Sequence, residues 1–258
     1  MLTGTQRDEA ARHLLAARQA RQSGSRLPES CRPTELEDAF AIQRRVQDLL
    51  GVATGGWKCS VPTAERAISC AAIFGPTIVR ASPCPVLGRS GLVRVEPEIA
   101  FVLGRDLPHR RAPYGETEVC SAIAETRLVL EILDSRYVDP SAVTFAELLA
   151  DQISNQGLFL GPVLRDGSEP ELEGFAIEIE AAATSLHRRE GRHPDGHPLW
   201  PLVWLANFLA SRREIGGIKA GEIVTTGSYA GALEVPLATP LCVQFAGLGE
   251  IRVELIAG

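Results

Sequence analysis

No two of the six cysteines, Cys31, Cys59, Cys70, Cys84, Cys120 and Cys242, form a CxxC pair. Such dispersed thiols do not suggest a zinc-ligand set and read as reduced, the default in a reducing compartment. Blocks of basic residues are missing too. Lys and Arg total 26 against 32 Asp and Glu, the formal charge is -6, and the basic residues are scattered, so no nucleic-acid partner is expected. No stretch approaches a membrane span, and the opening MLTGTQRDEAARHLLAARQARQ lacks the continuous apolar run of a signal peptide. The expectation is a cytoplasmic protein with no membrane partner. GxSxG, GxGxxG and the P-loop are likewise absent, so neither serine-hydrolase nor nucleotide chemistry is indicated.

What is present is a 258-residue chain, 45% hydrophobic, long enough for a substantial core. Helical spacing covers Thr5–Gln22 and a second helix to Leu50, opened by Thr34-Glu35-Leu36-Glu37; Pro62-Thr63-Ala64-Glu65 offers a third, short helix through Cys70. Beyond Phe74 the period changes. Val93–Leu103, Arg127–Leu133, Gly157–Val163, Phe175–Ala181, Glu222–Thr225, Leu241–Phe245 and Ile251–Leu255 read as strands, interrupted by helices over Thr144–Gln152 and Leu199–Arg213. Strands without regular helix alternation argue for an α+β protein and against Rossmann or TIM folds. The expected organisation is a helical part over 1–75 and a β-rich catalytic part over 76–258, packed as one unit.

The segment VEPEIAFVLGRDLP places Glu96 and Glu98 two apart in a strand, so both carboxylates share one face. Pro97 between them cannot donate a ladder hydrogen bond and predicts a sheet edge or a strand start. A third acid, Glu131, sits inside the apolar run RLVLEILDSR, where an unpaired charge costs several kcal/mol. An Arg would answer one such charge. A divalent hard cation, bound by oxygen ligands, would answer three. Without that convergence, an ExE pair is an ordinary wet strand face.

Four blocks in order, EPEIAFVLGRDLP, LEILDSR, DQISNQGLFLG and PLVWLANFLASR with IKAGEIVTTGS, resemble the fumarylacetoacetate hydrolase superfamily, in its 2-keto-4-pentenoate hydratase and 4-oxalocrotonate decarboxylase branch. The resemblance runs from about Glu35 to the C-terminus. It implies a mixed β-sandwich roll preceded by helices, a homo-oligomer, and Mg²⁺ or Mn²⁺ held by Glu96, Glu98 and Glu131. GGWKCS resembles the family's Gly-aromatic-Lys block and makes Lys58 the catalytic candidate, with a pKa lowered toward proton transfer by positive charge and desolvation; the alternative is a surface lysine after a buried Trp57. ADQISNQG resembles a substrate-lining block, with Gln152 where Asn is usual; it nominates Asp151 and Ser154, or merely a polar helix end. VTTGSYAG nominates Gly227 for close backbone approach and Ser228 for a substrate carboxylate, or a glycine turn. His193 and His197 are separated by Pro194 and Gly196, which prevent a zinc-binding helix, so LHRREGRHPDGHP reads as a loop.

The resemblance implies an enzyme acting on a small 2-oxo acid through a metal-bound enolate, in aromatic-compound breakdown. Hydration, decarboxylation and acylpyruvate hydrolysis all fit that chemistry, and a non-catalytic partner in a complex with an active relative is the alternative of another class. One residue is missing. Hydratases of the family carry an acid between the lysine block and the ExE strand, where this chain has only Glu65, well before the expected segment AAIFGPTIVRAS. Whole-chain resemblance still favours a hydratase.

Overall fold

Thr3 opens the first helix, α1 (Gly4–Ala20), through a reciprocal cap: its hydroxyl accepts from Gln6 N and its own N donates to Gln6 Oε1. The second, α2 (Leu36–Leu50), starts one residue later than expected, after Glu35 and with no side-chain cap. Its first-turn Asp38 turns inward, accepting from Arg7 and from Leu2 N, and so ties the two helices together. Gly51, at φ 65°, ends it. The computed structural model describes residues 1–164 and 172–258.

Strands then follow: β1 (Thr54–Cys59), β2 (Cys70–Phe74), β3 (Ile78–Val79), β4 (Cys84–Val86), β5 (Leu92–Leu103) and β6 (Leu107–Pro108). The short α3 (Glu116–Cys120) precedes β7 (Ile123–Leu133), and α4 (Phe145–Ala150) precedes β8 (Asn155–Val163). The hairpin β9 (Gly174–Ala181) and β10 (Thr184–Arg192) leads to α5 (Leu199–Ala210). The chain closes with β11 (Gly217–Ile218), β12 (Ile223–Thr225), β13 (Leu233–Pro236), β14 (Pro240–Phe245) and β15 (Gly249–Ala257).

Among the described residues the main sheet runs β2-β1-β12-β5-β7-β8-β3, with β13 also on β5; a second runs β10-β9-β14-β15-β4. In the main sheet β2 touches β8 although four strands lie between them, so the sheet curls on itself. Alternation along β5 then separates two environments. Val95, Ile99, Phe101 and Leu103 enter the principal core, while Ala100 joins Ile73, Val129, Leu158, Leu160 and Ile223 in a small apolar cluster on the other face. Glu96 and Glu98 continue that second face.

Four sequence expectations need correction. No helix forms over Pro62–Cys70: the segment joins β1 to β2, Ser60 N donates to Ser69 O, and the Thr63 hydroxyl closes a local turn with Arg66 N. The helical part therefore stops at Leu50, and β1 and β2, before residue 75, belong to the main sheet. Thr184–Arg192 is a strand rather than part of a loop; its charged, exposed side chains are those of a sheet edge, which hides an apolar alternation. Pro97 lies in a central strand, not at an edge. It falls where β13, paired to Val95, has ended and β12, paired from Ala100, has not begun, so its missing N–H leaves no ladder position empty.

The helix α5 buries Leu202, Leu205, Ala206 and Leu209 on one side only. Trp200 remains 56% exposed, and Trp204 and Phe208, partly buried, stack with ring centroids 5.0 Å apart.

Candidate active site

The β5–β7 register sets Glu96 opposite Glu131, with Glu98 two residues along the same face. One carboxylate oxygen from each lies within 4.8 Å of the other two. Glu131 and Glu98 are buried and Glu96 half-buried. Desolvation first, then the charges of Glu131 and Glu96, push Glu98 up to about 8; desolvation and Glu131 likewise raise Glu96.

Lys58, carried by β1, answers part of this charge. Its Nζ donates to Glu131 Oε1 at 2.6 Å and to the Ile153 carbonyl at 3.2 Å. Burial pulls its pKa down, but Glu131 and Glu96 outweigh burial and the net direction is up. That reverses the expectation of a lowered pKa, because the neighbouring charges are negative. Gly56 makes the placement possible: a Cβ there would lie 2.3 Å from Ile223 O, so only glycine lets β1 lie this close to β12. Trp57 points the other way, its Nε1 donating to Glu222 Oε2 at 3.0 Å.

Further donors fix the acids. The Thr225 hydroxyl and Gly227 N donate to Glu98 Oε2, and Asn155 Nδ2 donates to Glu131 Oε1 at 2.9 Å. Among the described residues Glu131 Oε2 is buried without a hydrogen-bond partner. One lysine charge against three carboxylates, with a buried oxygen left free, is the donor set of a hard divalent cation. Glu96, Glu98 and Glu131 fit such an ion.

Asp151 and Ser154 are not presented alike. Asp151 is buried and accepts from Arg136 Nε and, at 3.0 Å, from Arg136 N, which leaves it a positioning group rather than a substrate contact. Behind it Gln152, Ile153 and Ser154 all have positive φ, at 56°, 52° and 60°, a strained run for non-glycine residues. Arg18 on Gln152 Oε1 and Arg136 on the Asn155 carbonyl hold that run. The outcome is an Ile153 carbonyl aimed at Lys58. Ser154 is half-buried, with its backbone carbonyl bonded to Asp134 N.

Gly227, at φ 129°, packs so tightly that a Cβ would lie 2.8 Å from Pro194 Cγ. Ser228 donates to Gly231 O at 3.1 Å and Pro97 O at 3.4 Å, so its hydroxyl holds the turn. Glu65 is exposed and bonded to Thr63; it does not supply the missing acid. Sequence reasoning passed over Asn155, next to Ser154, Thr225, two before Gly227, and Arg136, whose signal was the end of LEILDSR.

Residues 63–255 match the family described as Fumarylacetoacetate (FAA) hydrolase C-terminal. The chain belongs to this family. It is 28% identical over 257 residues to a 2-keto-4-pentenoate hydratase of Paraburkholderia phymatum, covering 95% of each chain. It is 30% identical over 164 residues to 2-keto-4-pentenoate hydratase 1 of Dechloromonas aromatica, an alignment spanning 64% of this chain and 60% of that one. In fold it is similar to the 4-oxalocrotonate decarboxylase from Pseudomonas putida complexed with magnesium and adipate, with TM-score 0.80, 22% identity and 99% of both chains covered.

Proposed function

We propose that this protein is a divalent-metal-dependent lyase acting on a small 2-oxo acid, a hydratase of the 2-keto-4-pentenoate type that uses Mg²⁺ or Mn²⁺. The observation that carries the reading is the convergence of Glu96, Glu98 and Glu131 on one point, with Lys58 bonded to one of them. When bound there, the cation supplies positive charge for a 2-oxo acid's carboxylate and oxo oxygens. Lys58, held charged by its neighbours, orients the substrate's oxo end and gives a proton to the carbon beside it. Gly227 and Ser228 form the turn against which the substrate carboxylate would rest, and Asp151 acts through Arg136 on the Ile153 carbonyl. The name carried by the Paraburkholderia relative, aligned over nearly its whole length, favours hydration.

A second reading has its own observation. Residues 66–95 contain no carboxylate, and loss of CO₂ needs an electron sink more than a remote acid, so decarboxylation of a 2-oxo diacid is the competitor, with acylpyruvate hydrolysis behind it. A cytoplasmic homo-oligomer is part of the proposal, assembled through the exposed α5 face around Trp200, Trp204 and Phe208. The reading of another class, a non-catalytic partner subunit, predicts no turnover by the isolated chain.

One experiment separates these. The Mg²⁺-loaded protein is offered 2-hydroxypenta-2,4-dienoate, 4-oxalocrotonate and an acylpyruvate side by side, and products are identified by NMR. Hydration of the dienoate, abolished together with Mn²⁺ binding in a folded Glu131→Gln variant, is the expected result. Turnover of none of the three, or unchanged Mn²⁺ affinity in the variant, would remove the assignment.

A further inference from the structure

The turn joining β10 to α5, His193–Pro198, crosses the C-terminal ends of β1 and β12, the same ends that carry Lys58 and the Thr225–Gly227 backbone. Pro194 is packed on Gly227, and Asp195 reaches β1, its Oδ2 accepting from Val61 N at 2.9 Å. The Asp195 N–H donates to His193 Nδ1 at 3.2 Å. Val61 N thus fixes one carboxylate oxygen, and the His193 ring fixes the Asp195 backbone. The other carboxylate oxygen, Oδ1, has no hydrogen-bond partner among the described residues.

Two further observations mark this rim as a place for a ligand. Among the described residues Thr226 Oγ1 is wholly buried without a hydrogen-bond partner, and buried His193 Nε2 has only the Thr226 backbone beside it, outside good hydrogen-bonding geometry. Because Nδ1 accepts from Asp195, the ring's proton is on Nε2, a donor 3.7 Å from where a Gly227 Cβ would stand. Buried polar groups left unpaired cost free energy unless a ligand or water meets them. Among the described residues the fully buried carboxylates are committed elsewhere: Asp38 to Arg7, Glu147 to Arg26, Asp151 to Arg136 and Glu222 to Trp57, with the remaining pair, Glu98 and Glu131, in the cation site. Asp195, half-buried and close enough for its charge to raise the Cys59 thiol, is bonded to no cation among the described residues.

We infer that Asp195 is the base that activates water for this reaction, occupying from the β10–α5 turn the role left empty between β1 and β5. The inference rests on the 2-oxo acid hydratase reading above. The dienol first loses its C2 hydroxyl proton to solvent and takes one up at C5, which gives the conjugated tautomer with C2=O and C3=C4; on that form the addition balances. Water oxygen bonds to C4 while one water proton passes to the Asp195 carboxylate. The C3=C4 π pair moves to C2–C3, and the C2=O pair to the oxygen, giving the substrate's enolate. That enolate then takes a proton at C3 from the Lys58 ammonium. The net change is addition of H and OH across C3=C4. Asp195 is left protonated and Lys58 neutral, and exchange with solvent restores both.

The test uses Asp195→Asn and Asp195→Ala in the full chain. Asn keeps an oxygen that can accept from Val61 N, so a role limited to holding the turn predicts normal hydration in Asn and loss only in Ala. The base role predicts that both lose hydration of 2-hydroxypenta-2,4-dienoate by about 10²–10⁴-fold. Three other readouts should stay near wild type in Asp195→Asn: the melting temperature, Mn²⁺ affinity by calorimetry, and exchange of the C3 protons of 2-oxopentanoate in D₂O at alkaline pD, where the neutral form of Lys58 takes the proton and Asp195 has no part. Wild-type hydration by Asp195→Asn overturns the inference. So does a wild-type protein that exchanges C3 protons yet adds no water, which leaves the enolate reading standing. If the wild type exchanges no C3 protons, the enolate reading falls and this inference with it.

Discussion

Glu96, Glu98 and Glu131 stand on neighbouring strands whose register runs from Arg94 to Leu103, whereas His193 and Asp195 stand on a six-residue turn tied down by single hydrogen bonds. At the strand-borne end, the Thr225 hydroxyl, Gly227 N and Asn155 Nδ2 are donated to the acids and a lysine is paired to one of them. Among the described residues each end keeps buried polar atoms free, Glu131 Oε2 among the paired acids and Thr226 Oγ1 and His193 Nε2 beside the turn. The contrast teaches where each kind of chemistry is placed. Charge that must be held against its own repulsion is built on rigid, paired backbone, and the group that meets the variable part of a substrate is carried on a connection.

Lys58→Met breaks the rigid end most sharply. Turnover should fall by about 10²–10⁴-fold if the ammonium transfers the C3 proton. Mn²⁺ affinity should hold or tighten, since Glu131 Oε1 loses a competing donor. Without added metal the variant also leaves three close carboxylates without their counter-charge, so its melting temperature should drop and be restored by Mn²⁺. Wild-type kinetics would return Lys58 to an ion-pair role alone.

Arg136→Met tests whether the rigid end depends on the strained run behind it. Removing the guanidinium leaves Asp151 buried without its ion-pair partner, which costs about 3–5 kcal/mol, and releases the Asn155 carbonyl beside the run. A urea midpoint lowered accordingly, with turnover reduced even where the protein remains folded, is the expected outcome. An unchanged midpoint would mean that the Gln152–Ser154 conformation supports itself.

The same division governs what could be read before the fold was known. Glu96, Glu98 and Glu131 were legible because strand alternation is a local rule and an acid in an apolar run is visible without a fold. Their pairing across β5 and β7 was not, since register depends on partners far apart in sequence. Pro97 was misplaced for a related reason: an edge and a gap between two partner strands look alike from one strand. The Lys58 titration was read backwards because its nearest charges come from β5 and β7. Asp195 was passed over inside a segment taken as one loop, and only the β9–β10 pairing shows that the turn begins at His193. Family resemblance supplied the proposed roles of Lys58, Gly227 and Ser228, while the burial of Asp151 under Arg136 required the fold.

The smallest expected effect probes the turn itself, through His193. Burial, more than any charge, lowers its pKa to about 4 from an ordinary 6.5, with His197 adding to the shift and the Thr226 backbone opposing it. Protonation would also remove the Nδ1 lone pair that accepts from Asp195 N. The folded ring therefore stays neutral while the unfolded one takes up a proton as pH falls through 6.5. Stability contributed by this group is complete above 6.5 and is lost progressively down to about 4. Asp195 beside it shifts the other way, raised by desolvation, so the single-residue difference is the informative quantity. In His193→Leu the melting temperature should fall less than the wild type's between pH 7 and pH 4.5, by roughly 2–4 °C, the shift that about 1 kcal/mol produces in a chain of this size. Parallel curves for the two proteins would mean that His193 takes up its proton without disturbing the turn, and that Asp195 is held by Val61 alone.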